Sequence, residues 1–299
     1  MIPLYPKIHS LGSPYITDLL DGNIEITEKI DGSFIAFGKI DGELYIRSKS
    51  FELTFKSENV FSLAVSYITF MESQIPNNII FYGEYLSKPK HNVLKYERVP
   101  KNNIILFGCA RYPEMKFIDM HTFADELGLE CVPVLFRGST LDLNLPKHLE
   151  TDSVLGGVKI EGIVVKNYAK KMLSNGHPTL LMAGKYVSEA FKEVHKRNYR
   201  TDKTQNRLEE YVSSFRTEAR WLKAIQHLKD EDQLTHEPKD IGPLLHEIKR
   251  DVFEEEGENI KNWLLEGNRG RISGIIVQGF PEFYKHYLAK SWKNNQEGT

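Results

Sequence analysis

Cysteine is nearly absent: Cys109 and Cys131 are the two in 299 residues, and neither belongs to a Cys-x-x-Cys pair or a Cys/His group. That excludes a disulfide framework and a thiolate zinc site, and it fits a reducing compartment. No apolar run is long enough to span a bilayer, and residues 1–7 have neither the basic start nor the apolar core of a secretion signal. No membrane attachment is expected, and the expected compartment is the cytoplasm, a host's if the source is viral. Basic charge is not in excess, with 39 Lys and Arg against 41 Asp and Glu for a net charge of −2. A polyanionic partner would therefore be met by a local basic patch and not by the overall field. Internal repeats and low-complexity tracts are also missing, which excludes solenoids and disordered linkers.

What is present is 40% hydrophobic content, enough for one large domain and a small one. Apolar, β-rich runs at 24–30, 34–40, 44–48, 79–86, 104–110, 158–166 and 179–187 predict antiparallel or mixed sheets without regular βαβ repeats. Asp41-Gly42 predicts a tight hairpin, because both residues tolerate the positive φ that a twisted two-residue turn demands. Helices are predicted over 60–73 and 120–127. After about residue 188 the period changes: Leu208, Tyr211, Val212, Phe215, Ala219, Leu222, Ile225 and Leu228 mark one face of a long amphipathic helix. A second helix follows, with Asp240 as N-cap and Ile241, Leu244, Leu245, Ile248 and Val252 as its buried stripe. The polar, basic stretch at 196–206 separates the two patterns, so residues 1–200 are assigned to a sheet domain and 201–299 to a helical one.

The strongest local feature is Glu28-Lys29-Ile30-Asp31-Gly32-Ser33 at the end of a predicted strand. Alternation puts Lys29 and Asp31 on one face and Ile30 on the other, and Gly32 lets the chain turn. A lysine amine attacks phosphorus only when neutral, a form that desolvation, neighbouring cations or a metal promote. Lys-x-Asp-Gly arises by chance in about one chain in fifteen of this length, so alone it decides little.

The order of the features that follow resembles the covalent nucleotidyltransferase superfamily of DNA ligases, RNA ligases and mRNA capping enzymes. In that resemblance Glu28–Ser33 is the nucleophile motif, with Lys29 becoming adenylylated, Glu28 reading the edge of the base, and Asp31 and Gly32 part of the nucleotide site. Arg47-Ser48-Lys49 is similar to the short basic motif that reaches the ribose or the polynucleotide, through either Arg47 or Lys49. Phe81-Tyr82-Gly83-Glu84-Tyr85 resembles the third motif, which implies that Glu84 binds the ribose hydroxyls. Ile105-Leu106-Phe107-Gly108 and Glu161-Gly162-Ile163-Val164-Val165-Lys166 resemble the next two motifs. They imply that Phe107 and Val164 sandwich adenine, that Glu161 is the acidic residue at the metal, and that Lys166 helps neutralise phosphate. In the fifth motif only Lys185 fits, as the cation for the α-phosphate. Met182 or Gly184 stands where a second lysine is common, with Lys166 or Lys192 as its replacement.

DNA ligases and capping enzymes follow this domain with an oligonucleotide-binding barrel, whereas a helical tail resembles the RNA ligase 2 family. The implied fold is α+β: a nucleotidyltransferase domain of antiparallel sheets with flanking helices, then a small helical domain. The implied activity is ATP-dependent joining of an RNA 5′-phosphate to a 3′-hydroxyl, at a nick among other ends, with Mg²⁺ or Mn²⁺; the residues do not fix an oligomeric state, and a monomer is the expectation. Basic residues from Lys185 to Arg207, and the loop bearing Lys88, Lys90, His91, Lys95 and Arg98, are candidates for RNA phosphates. The alternatives are a DNA ligase or GTP-using capping enzyme and, from another class, a non-catalytic RNA-binding module on a degenerate ligase fold.

Overall fold

Alternation along two sets of strands produces two sheets. The computed structural model describes residues 2–54, 60–139, 144–174, 177–179, 181–188, 207–235, 237–282 and 284. In the first sheet β1 (His9–Ser10), β2 (Asn23–Lys29), β9 (Val134–Ser139), β10 (Gly162–Asn167) and β13 (Met182–Val187) lie in the order β1-β13-β10-β2-β9. All its pairs are antiparallel except β1 with β13. Ile24 and Ile26 of β2 and Ile163 and Val165 of β10 pack on Ile16, Leu19 and Met182, which closes one face of this sheet. Full burial of each such side chain stabilises by about 2 kcal/mol.

The second sheet runs β4 (Glu43–Ser48), β3 (Ser33–Ile40), β5 (Ile79–Tyr85), β6 (Ile104–Arg111) and β7 (Lys116–Ile118), with β8 (Glu130–Cys131) also on β6. Its outer face packs Ile35, Phe37, Phe81 and Leu106 against Ala64, Val65 and Ile68 of α1 (Ser62–Phe70). Asp41 and Gly42 join β3 to β4 with φ of 52° and 86°, as their pairing predicts. A bulge between Tyr82 and Gly83 of β5 leaves Phe107 of β6 as the extra residue. Two short strands, β11 (Met172–Ser174) and β12 (His177–Thr179), and two short helices, α2 (His121–Ala124) and α3 (Leu145–His148), complete this part.

Three further helices follow: α4 (Arg207–Ser213), α5 (Glu218–Asp230) and α6 (Ile241–Ile276). The single amphipathic helix expected across 208–228 is two, because Thr217 is extended and its side chain accepts from the Arg220 N–H to cap α5. Asp240 is not an N-cap: it ends a short 3₁₀ turn and accepts from Thr235 and Glu237, the latter sharing a capping box with it. The strand expected at 158–166 starts only at Gly162, and β9 was not foreseen. Internal contacts divide the chain into Met1–Leu244 and Leu245–Thr299. The 200/201 boundary expected from the sequence lies outside the described residues. This is a mixed α+β fold of two sheets followed by helices. Among the described residues no helix is long and apolar enough to cross a membrane.

Candidate active site

Register decides which side chains meet. Lys29 pairs with Gly162, Thr27 with Val164 and Glu25 with Lys166, while across β10 Val164 pairs with Lys185 and Lys166 with Ala183. Directly paired and alternate residues share a face, so Lys29, Thr27, Glu25, Val164, Lys166 and Lys185 line the face opposite the Ile26 and Ile163 core. Glu161, just before β10, completes the end of this row: the Lys29 amine donates to both its carboxylate oxygens at 2.7 Å. Burial pulls the Lys29 amine down, but Glu161, Glu84 and Asp31 outweigh it and hold the group above the ordinary lysine value. Burial pushes Glu161 up, while Lys29 and, more weakly, Lys185 draw it back.

Glu84 of β5 pairs with Phe34 of β3 and comes within electrostatic reach of Lys29 and Glu161. Burial pushes its carboxyl up to about 8, with Glu161, Asp31 and Asp230 adding to the rise and Lys29 opposing it. Its Oε2 is buried and makes no hydrogen bond among the described residues. An orphaned polar atom of this kind costs free energy until a hydrogen-bond partner arrives.

The turn after Lys29 is clamped residue by residue to the loop at 87–98. Asp31 Oδ2 accepts from the N–H groups of Val93 and Leu94 at 2.8 and 2.7 Å, and the Asp31 N–H donates to the Tyr96 hydroxyl. The Gly32 carbonyl accepts from Asn92 at 2.8 Å. A Cβ at Gly32 would stand 3.0 Å from Glu84 Cβ, Leu86 Cδ1 and the Tyr85 carbonyl, so a glycine is what lets β5 approach. Ser33, buried, meets His91 at 2.9 Å.

Some sequence expectations require correction. Glu28 pairs with Ile163 and so points away from Lys29; its carboxylate accepts from the Ser153 hydroxyl and the Val154 N–H and is not available to a base in the cleft. Asp31 is likewise committed to the loop. Arg47 is buried and donates to the carbonyls of Ile2, Ser48 and Lys49, whereas Lys49 is exposed. The Lys166 amine, enclosed, donates to the Phe107 carbonyl at 2.8 Å and lies 3.6 Å from Glu25, so it braces the bulge instead of meeting phosphate. Met182 packs in the core of the first sheet, and Gly184 abuts Leu11, Ile16 and Leu19, so neither faces the cleft. Lys192 and the basic residues at 196–203 lie outside the described residues. Phe107 remains half-buried, edge-on to Tyr5 at 5.0 Å and 6.3 Å from Phe34.

Two residues escaped the sequence reading. Thr27, opposite Val164, has a buried Oγ1 with no hydrogen-bond partner among the described residues. Asp230 of α5 accepts from Ser33 at 2.6 Å, a contact without any local signature in the chain.

An α+β ligase-like fold closing on a lysine–carboxylate pair is the class these observations define. A family model described as RNA ligase matches residues 22–187, more than half of the chain, and the chain belongs to the RNA ligase family. Among solved structures it is similar to Naegleria gruberi RNA ligase with PPi, at 16% identity and a TM-score of 0.47 over 63% of this chain and 57% of that one. A variant of that enzyme with ATP and Mn is similar at 17% identity and a TM-score of 0.48, covering 64% and 57%. Another with AMP and Mn has 18% identity and a TM-score of 0.45, covering 63% and 57%. The matched part of the Naegleria enzyme is thus a little over half its length. No curated protein matches the chain. The family assignment rests on the sequence match.

Proposed function

We propose that the chain is an ATP-dependent RNA ligase of the RNA ligase 2 branch, its adenylyl-transfer chemistry carried by residues 1–200. Lys29 takes AMP from ATP, passes it to an RNA 5′-phosphate, and a 3′-hydroxyl then displaces AMP to seal the strand. The observation that carries this reading is the Lys29–Glu161 pair, lying on the cleft face of a family-matched sheet with Glu84 in electrostatic reach.

In the first step a bond forms between Nζ and the α-phosphorus as the bond to pyrophosphate breaks, and the amine must lose its proton beforehand. Held by Glu161, Lys29 is an ammonium with no lone pair to give. Any cation drawn to Glu161 weakens that hold, and Lys185 already bears on it. The side chains fit a hard cation in part. Glu161 offers carboxylate oxygens, but no group of three or more metal-binding side chains occurs among the described residues. Nucleotide phosphates and water would therefore complete the oxygen shell, a set that suits Mg²⁺ or Mn²⁺. Such an ion supplies positive charge for the phosphate oxygens.

For the nucleotide, the orphaned Glu84 oxygen suits a ribose hydroxyl, and Thr27 Oγ1 suits the exocyclic amine of adenine. Phe107 and Val164 bound the base, and Lys185 serves the α-phosphate. Lys88, Lys90 and Lys95, exposed on the loop clamped to the Lys29 turn, serve the RNA backbone; Arg98 is taken up by Glu130.

Incubation with labelled ATP and magnesium, then denaturing electrophoresis, tests the reading. Label should stay on the protein, and matched nicked RNA and DNA duplexes then report the substrate. Labelling by GTP alone would point to a capping enzyme and sink the proposal. RNA binding without any covalent label would point to a non-catalytic module.

A further inference from the structure

The turn that carries Lys29 is gripped from a second side by a helix outside the matched family region. Asp230 and Gln226, one turn apart at the end of α5, both reach Ser33. The Ser33 hydroxyl donates to Asp230 Oδ2 at 2.6 Å, and Gln226 Nε2 donates to Asp230 Oδ1 and lies 3.4 Å from Ser33 Oγ.

The proton order of this network follows from one backbone bond. The Ser87 N–H donates to His91 Nδ1 at 3.1 Å, so the proton of the neutral ring sits on Nε2. His91 therefore donates to Ser33, and the one Ser33 proton goes to Asp230. His91 is thus no base for Ser33, because a base would need a lone pair at Nε2. Burial, aided by Lys229 and Lys88, brings His91 down to about 4 and keeps it neutral. Burial pushes Asp230 up to about 6 against Ser33, Gln226 and Lys229, with Glu231 adding to the rise, so at neutral pH it is a carboxylate. A hydroxyl set between a neutral imidazole and a carboxylate has one arrangement that satisfies all three.

We infer that Asp230, seconded by Gln226, is a positioning residue: by holding Ser33 it locks the turn at 31–33, and through His91 the loop at 87–98, in the arrangement that aims Lys29 into the cleft. This rests on Lys29 being the nucleophile. The locked turn is where the Asp31, Gly32 and Ser33 contacts to the loop converge, so release of Ser33 by Asp230 loosens the segment that makes all three.

The test uses the full chain and single-turnover formation of lysyl-AMP in the parent, Asp230→Ala, Asp230→Asn, Ser33→Ala and the Ser33→Ala/Asp230→Ala pair, with amide exchange over 87–98. Asp230→Ala should slow adenylylation about tenfold, as for one lost charge-assisted hydrogen bond, with the KM for ATP held within about threefold. Asp230→Asn should recover most of the rate, since its amide oxygen still accepts from Ser33 and Gln226 can flip to meet its NH₂. The double variant should be no slower than either single one, and exchange at 87–98 should quicken in Asp230→Ala. A parental rate in Asp230→Ala, or losses that multiply in the double variant, would overturn the inference. Should the parent take no label from ATP, the Lys29 reading fails. Exchange still judges the latch: unchanged protection of 87–98 in Asp230→Ala overturns it.

Discussion

Lys29 and Lys166 stand at two ends of one sheet face, each on a strand and each beside a glutamate, yet they are held in opposite ways. The Lys29 side chain keeps 28% of its surface open and pairs with both oxygens of one carboxylate. Lys166 keeps 2%, donates to a main-chain carbonyl, and stands 3.6 Å from a Glu25 that also binds Arg137 and Tyr168. Burial accordingly brings Lys166 below the ordinary lysine value despite Glu25, whereas Lys29 is held above it. On the proposed function the difference separates a reagent from a strut. A reagent needs an opening and a single partner that can be drawn off, while a strut needs enclosure and a partner that cannot leave.

That contrast can be broken in order of expected effect. Lys29→Ala should abolish covalent labelling, a loss beyond about a thousandfold, read by electrophoresis after incubation with labelled ATP. Residual label on that variant would move the chemistry elsewhere. Glu161→Gln should cut adenylylation about a hundredfold by removing the carboxylate that would hold the cation at the phosphates, although it frees the Lys29 proton. Because the carboxylate holds the Lys29 proton, the limb of the pH–rate profile on which rate rises with pH should shift to lower pH; an unmoved limb would show that Glu161 does not hold it.

Lys166→Met should behave as a strut variant. It leaves the Phe107 carbonyl without its donor and should cost about 1–3 kcal/mol in urea unfolding, with kcat for adenylylation changed far less than in Lys29→Ala. Thr27→Val, nearly isosteric, should weaken ATP several-fold in KM and leave stability almost level, testing whether the orphaned oxygen meets a ligand. The last test is one of pH on stability. His91 titrates near 4 when folded against about 6.5 when unfolded, so the unfolded chain takes up its proton first as pH falls. Stability from this group is complete above 6.5 and drains away toward 4. Asp230, raised to about 6, works in the opposite sense below that pH, so the slope lost in His91→Gln relative to the parent isolates the histidine.

The sequence revealed the turn after Lys29, the hairpin after it and the strand bearing Val164 because each carries its cause locally: Gly32 and Asp41-Gly42 for turns, period two for strands. It led to error where a side chain's partner is remote. The resemblance made Glu28 a reader of the base edge, yet strand alternation sends it to Ser153 on the far face. The resemblance gave Arg47 to the ribose or polynucleotide and Lys166 to phosphate, but main-chain carbonyls hold both. The break between α4 and α5 was hidden because the apolar spacing continues through Phe215, and Thr217 reveals its capping role only through the N–H it accepts. Asp230 meets Ser33 across 197 residues, and no periodicity encodes such a meeting.

β2 occupies an inner place in its sheet, but its neighbours come from much later in the chain: Glu25 meets Arg137 across 112 residues and Lys29 meets Glu161 across 132. On a ribosome the strand that ends in Lys29 therefore emerges long before anything can pair with it. A nascent fragment halted before β13 lacks the wall that bears Lys185, so competence for chemistry arrives late in synthesis and all together.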